Sequence, residues 1–249
     1  MNFSVLSDKR ILELKDSGQI VIEPFNELNL NNSSYDVTLG DWFYREHQPH
    51  SFGVHNIYDE ASVKSVWNVL EKAKPLSYWR SNEKELRSYL IENARRLGFA
   101  PSDEALAHFL NYDFNGISSD EKVIFLFPNE TILAHTNEFI GGVSTITTMM
   151  KARSSMGRNF IEVCKDAGWG DVGYFNRWTL EITNNSTNQV IPLVVGSRVA
   201  QIIFMQVGEV LRNYNKVTDS KYQNTDDLSV LKETWTPEMM IPKTWNKRK

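Results

Sequence analysis

The densest run of reactive side chains is Lys151-Ala152-Arg153-Ser154-Ser155-Met156-Gly157-Arg158. Its cations and hydroxyls surround a glycine that lets another backbone or a ligand approach closely. Serines at a turn or helix start leave backbone N–H groups free, and such nests hold anionic oxygens. Arginine adds bidentate, charge-assisted bonds to phosphate. The same residues also suit a solvated basic turn with capping serines, and the pattern alone leaves both readings open.

Arg177-Trp178-Thr179-Leu180-Glu181-Ile182-Thr183 is the next candidate. In a strand, Trp178, Leu180 and Ile182 face one way and Thr179, Glu181 and Thr183 the other. Turned to an enclosed site, Glu181 would have a raised pKa and could serve as general base or acid. Turned to water, it is an ordinary strand glutamate. A third segment, Asp166-Ala167-Gly168-Trp169-Gly170-Asp171-Val172-Gly173-Tyr174, reads as a hairpin or loop offering backbone amides and an aromatic face, or as a plain β-turn. The histidines are His47, His50, His55, His108 and His135. The first three share a polar stretch without a carboxylate or thiolate at ligand spacing, so they read as surface residues. Cys164 ends a strand candidate and reads as a small buried hydrophobe.

These residues need elements to position them. Ser7 and Asp8 cap a short helix with Ile11 and Leu12 on its apolar side and Gly18 at its end. Strand candidates at 19–22 and 35–40 follow. Val63, Val66, Trp67 and Leu70 have helical spacing, with Pro75 beyond. Asn82 and Glu85 predict a capping box for a helix carrying Leu86, Tyr89, Leu90 and Leu97 and stopping at Gly98. A shorter helix follows Pro101 and Ser102 through Leu106, Phe109 and Leu110. From about 121 the period changes to two. Strand candidates lie at 123–127, 131–134, 143–147, 160–164, 177–183, 189–195 and 198–207, a spacing that indicates a sandwich or barrel. The tail, from about 208, reads as polar and irregular and ends in Lys247-Arg248-Lys249.

Composition narrows the function. The 249 residues carry a formal net charge of −4, with 41% hydrophobic and 23% charged, which excludes disordered, collagen-like and coiled-coil chains. A mildly acidic chain is not expected to bind nucleic acid. There is no apolar stretch of about 20 residues and no charged-then-apolar start, so neither membrane nor secretion is expected. The single cysteine, Cys164, rules out an intramolecular disulfide, favours a cytoplasmic location, and removes zinc sites that need two thiolates, including those of the zinc nucleobase deaminases.

The order of the motifs resembles the dCTP deaminase family, within the larger group that includes the trimeric dUTPases. The likeness begins at Leu6-Ser7-Asp8-Lys9, Ile22-Glu23-Pro24-Phe25 and Ser33-Ser34-Tyr35-Asp36-Val37-Thr38-Leu39-Gly40. It resumes at Leu133-Ala134-His135-Thr136-Asn137-Glu138 and Ala152-Arg153-Ser154-Ser155-Met156-Gly157-Arg158. Ala167-Gly168-Trp169, Asp171-Val172-Gly173-Tyr174 and Thr179-Leu180-Glu181-Ile182 follow, then Gly196-Ser197-Arg198-Val199-Ala200-Gln201 and Ser220-Lys221-Tyr222.

The resemblance implies a mainly β, dUTPase-like fold, a distorted β-barrel or jelly roll with a helical insertion. Its blocks would be 1–45 (first helix and strands), 46–117 (insertion), 118–225 (catalytic core) and 226–249 (tail). It implies a homotrimer with sites shared between subunits, and hydrolytic, zinc-independent deamination of dCTP to dUTP and ammonia. By this analogy Glu181 is the general base, while Ser154 and the backbone at Ala167 position the water and the amino group. Arg153, Ser155 and Arg158 engage the triphosphate or order the site, with Arg158 counted beside the catalytic residues. Lys151, Asp171, Tyr174 and Gln201 join the substrate contacts, and Lys221 and Tyr222 close over the nucleotide. Magnesium rides on the triphosphate, and dTTP is the expected feedback inhibitor. Two alternatives stand beside this reading. Asp171 matches the aspartate with which dUTPases hold water for attack on the α-phosphorus, so a bifunctional enzyme would release dUMP and pyrophosphate. Asp166, where the family commonly has threonine, and the insertion suit a catalytically silent nucleotide-binding regulator.

Overall fold

The computed structural model describes residues 4–47, 53–214, 220–223 and 225–246; His50 and the basic terminus 247–249 lie outside them. Helix α1, Asp8–Asp16, is capped by the Ser7 hydroxyl, which accepts from Arg10 N, and it buries Ile11 and Leu14. Strands β1 (Ile20–Glu23), β2 (Leu30–Asn31), β3 (Ser34–Thr38) and β4 (Trp42–Arg45) follow. Next come α2 (Glu60–Val66), β5 (Val69–Lys72), β6 (Lys74–Pro75), α3 (Leu76–Ser81), α4 (Glu83–Arg96) and α5 (Asp103–Leu110).

The β-rich part contains β7 (Lys122–Leu126), β8 (Thr131–Gly142), β9 (Ile146–Ala152), the short helix α6 (Ser154–Arg158), β10 (Ile161–Val163), β11 (Trp169–Gly170), β12 (Phe175–Asn184), β13 (Ile191–Val194) and β14 (Arg198–Gln206). Helix α7 spans Leu228–Thr234.

The fold is mostly β, with the strands in three sheets. One runs β10-β12-β8-β4-β5, with β1 also on β8; the second runs β11-β9-β14-β3-β2; the third is β13-β7-β6. Buried residues of the two larger sheets, with α1, form the main core around Tyr35, Ile140, Leu180, Ile202 and Phe204. No barrel closes among the described strands. The edge of β8 that could join the second sheet is divided between β1, at 139–142, and β4, at 132–133. Strand pairing between the two large sheets along it is limited to one isolated bridge, Leu39 with Thr136, with Glu138 also accepting from Thr38 N and Oγ1.

Several elements differ from the sequence reading, each for a tertiary reason. Trp67 caps α2, and Leu70 belongs to β5, because 69–72 pair with the edge offered by β4. The capping box of α4 does not form. Asn82 donates its side-chain amide to Tyr78 O, while Glu85 is held by Lys74 Nζ at 2.8 Å and Tyr78 OH at 2.6 Å. Strand β8 runs well past residue 134. The expected strand at 143–147 starts instead at 146, since Val143 donates to Gln19 O and Ser144 turns at φ 62°. The tail is not irregular throughout: Asp227 caps α7, and a 3-10 turn follows at Pro237–Met240.

The helices of 76–110 make their own apolar cluster. Leu76, Trp79, Leu86, Leu90 and Leu106 pack with Val123, Phe125 and Phe127 at β7. A buried ionic group ties them to the sheets. Arg45 and Glu130 are both fully buried, with Arg45 Nη1 at 2.6 and 2.7 Å from the two carboxylate oxygens. Arg45 Nε reaches Glu71 at 2.8 Å, Arg96 also holds Glu130, and Phe127 N donates to it at 2.9 Å.

Candidate functional site

Glu181 lies in β12, opposite Leu133 of β8. The alternation holds: Trp178, Leu180 and Ile182 are buried in the core, while Thr179 and Glu181 face a cleft half-covered from water. Burial holds the Glu181 carboxyl above the ordinary carboxylate range, and the Lys165 cation partly offsets this. The chain beside it is sharply bent. Cys164, Lys165 and Asp166 all have left-handed φ, at 72°, 37° and 62°, and Ala167 N donates back to Cys164 O at 2.6 Å. A positive φ is costly for residues other than glycine. The bend sets Ala167 on the cleft wall and leads Gly168 against Met150, where a Cβ would overlap the Met150 carbonyl. Cys164 is buried as expected, and its thiol is pushed up to about 12 by burial and by the Glu181 charge.

The cleft has a volume of about 400 Å³, within the range of small-molecule sites. Asp171, Tyr174, Lys221 and Tyr222 also line it, together with Trp169, Met240 and Pro242. Gln223, 3% exposed, pins the 220–223 segment there. Its side-chain oxygen accepts from Phe175 N at 2.8 Å, and its amide donates to Gly173 O at 3.0 Å.

The basic run folds elsewhere on the chain. Ser154 and Ser155 open α6, and with Arg153, Gln201 and Asp36 they line a second cleft of about 580 Å³. Asp36 is buried and receives Arg153 Nε at 3.3 Å and Arg198 Nη1 at 3.5 Å. Gln201 of β14 sits between Asp36 of β3 and Lys151 of β9. Lys151 and Arg158 are exposed and line neither cleft. On one chain, then, Glu181, Ala167, Asp171, Tyr174, Lys221 and Tyr222 share the first cleft, and Arg153, Ser154, Ser155 and Gln201 share the second.

Sequence reasoning did not pick out the roles of Asp36 as the partner of Arg153, or of Met240 and Pro242 as walls. The first was visible only as part of a motif, and the others carry no local signal. His135 is 1% exposed, with Trp42 N donating to Nε2 at 3.3 Å and Nδ1 against Thr136 O at 2.8 Å. His47 is partly covered, and His55 and His108 are exposed. Among the described residues, no group of three or more His, Cys, Asp and Glu side chains is arranged to hold a metal ion, and no helix is long and apolar enough to cross a membrane.

Fold and site together make a mostly β protein that can offer one desolvated carboxylate to a small ligand. Residues 5–108 and 90–207 match the profile of the dCTP deaminase-like family. A relative from Methanocaldococcus jannaschii named "dCTP deaminase, dUMP-forming" is 30% identical over 203 residues, 82% of each chain. Another of that name, from Hydrogenobaculum sp., is 27% identical over 208 residues, 83% of this chain and 84% of its own. Among solved structures, the 2'-deoxycytidine 5'-triphosphate deaminase from Agrobacterium tumefaciens aligns with 86% of this chain and 52% of its own, at 20% identity and a TM-score of 0.45. The chain belongs to the dCTP deaminase-like family.

Proposed function

We propose that this protein deaminates dCTP hydrolytically and carries the product on to dUMP and pyrophosphate. The observation that carries the reading is the presence of Glu181 and Asp171 on the walls of one cleft. The two relatives named as dUMP-forming support dUMP, rather than dUTP, as the released product.

In this reading Glu181 takes a proton from water, and the hydroxide adds to C4 of the cytosine. The carboxyl passes that proton to ring N3 as the C4–N3 double bond opens, then moves the C4 hydroxyl proton to the amino nitrogen. The bond from C4 to that nitrogen breaks, and ammonia leaves a C4 carbonyl. A carboxylate raised by burial is a stronger base than an ordinary one, which favours its taking a proton and handing it on. Ala167's backbone and Ser154 position the water and amino group, and Asp171 holds a second water for attack on the α-phosphorus, which expels pyrophosphate. Magnesium enters with the triphosphate as part of the substrate. No zinc is needed, and one cysteine could not supply a two-thiolate site for it.

The two clefts of one chain are explained by assembly. In a homotrimer, the cleft bearing Arg153, Ser154, Ser155 and Gln201 would close against a neighbour's cleft bearing Glu181. Lys151 and Arg158, exposed on the single chain, would then meet the triphosphate or the partner. The chain's place in the cytoplasm and inhibition by dTTP belong to the same reading.

One chromatographic assay tests it. The purified protein with dCTP and magnesium is expected to release ammonia, dUMP and pyrophosphate. Glu181→Gln is expected to stop ammonia release, and Asp171→Asn to stop the sequence at dUTP. Accumulation of dUTP by the unmutated protein would leave a deaminase alone. Saturable binding without turnover of any pyrimidine triphosphate would point to the silent regulator instead.

A further inference from the structure

The residues beyond the family match return to the cleft and complete it. Trp235, at the end of α7, packs against the His135 ring in a tilted pair with centroids 4.6 Å apart and carries the Arg177 guanidinium over its own ring at 4.7 Å. The turn that follows brings Met240, 3% exposed, into an apolar cluster with Leu133, and Leu133 is the cross-strand partner of Glu181. Met240 and Pro242 therefore form a cleft wall at the carboxylate end.

The end of this wall is tied down by a crossed pair of bonds. Lys221 Nζ donates to Lys243 O at 3.0 Å, and Lys243 Nζ donates to Lys221 O at 2.8 Å. Lys243 N also donates to Tyr222 OH at 3.1 Å. Neither ammonium has an ion-pair partner among the described residues, so both charges remain available to an anion. Lys221 thus reaches the cleft already oriented by the segment that carries Met240.

We propose that residues 240–243 are a built-in wall of the site, in which Met240 limits the size of the pyrimidine admitted beside Glu181 and Lys243 is a positioning residue for Lys221 and Tyr222. This rests on the function proposed above. A thioether side chain fills an irregular apolar surface and still presents a defined volume to a flat ring. Cutting it back to a methyl group opens room on the side where Leu133 and Glu181 stand together.

The test is steady-state kinetics of the full chain with dCTP and with 5-methyl-dCTP. Met240→Ala is expected to raise the ratio of kcat/KM for the methylated over the unmethylated nucleotide about tenfold, the scale on which an apolar pocket discriminates a methyl group. Lys243→Met is expected to raise KM for dCTP several-fold with little change in kcat, and Lys243→Arg to restore it. A lowered melting midpoint with an unchanged substrate ratio in Met240→Ala, or an unchanged KM in Lys243→Met, overturns the proposal. The same ratio read from calorimetric Kd values tests the wall even if the parent turns over neither nucleotide, an outcome that removes the deaminase reading alone.

Discussion

His135 should make the stability of this protein depend steeply on acid. Its ring is packed over Gly40, where any Cβ would overlap the imidazole, and both nitrogens are already committed to backbone groups. That arrangement fits the neutral ring with its proton on Nδ1. Burial, and then the nearby Arg177 cation, push the pKa down to about 4 from 6.5, against the bond to Thr136 and the charge of Asp41. Because the folded pKa is depressed for a basic group, the unfolded chain binds more protons between these values. Stability is therefore full above about pH 6.5 and is lost as pH falls toward 4. A two-state linkage calculation puts the loss at about 2 kcal/mol by pH 5 and about 3 kcal/mol by pH 4. Urea unfolding of the parent and of His135→Asn, at one protein concentration from pH 4 to 7, isolates this contribution, since the other titrating groups are common to both. The variant has a constant offset from lost packing, so the diagnostic quantity is how the difference changes with pH. A difference flat to within about 0.5 kcal/mol across the range would falsify the assignment of a buried neutral histidine.

Two further outcomes follow from buried charge. Glu130→Gln removes the carboxylate shared by Arg45 and Arg96 and leaves a buried guanidinium underpaired, so the chain should lose about 3–5 kcal/mol in denaturant unfolding; a loss below about 1 kcal/mol would show that the group is not buried as described. Lys165→Met removes the cation that favours ionised Glu181, so the acid limb of the kcat/KM profile should move to higher pH. An unmoved limb would mean that Glu181 is not the group titrating there.

Much of the local architecture can be read from the residues. Ser7 and Ser102 cap α1 and α5, because a hydroxyl just before a helical run has free backbone N–H groups within reach. The two-residue alternation around Glu181 survives into β12, since a strand buried on one side must repeat with its pleat. Where reading failed, a distant partner won. Glu85 has the spacing of a capping residue, but Lys74 and Tyr78 offered it a better bond. Leu70 has helical spacing, but the open edge of β4 took it into a strand.

What the sequence by itself determined was chemical and ordinal: one cysteine, a carboxylate on the polar side of a strand, a basic serine-bearing turn, and motifs in the order of the dCTP deaminase-like family. These are properties of residue type and spacing, so they need no coordinates. Only the tertiary structure decided that the basic turn and Glu181 occupy different clefts of one chain, and that the tail comes back to put Met240 beside Leu133. Both depend on pairings between residues far apart in the chain, where burial of apolar surface outweighs local preference and leaves no short-range signature.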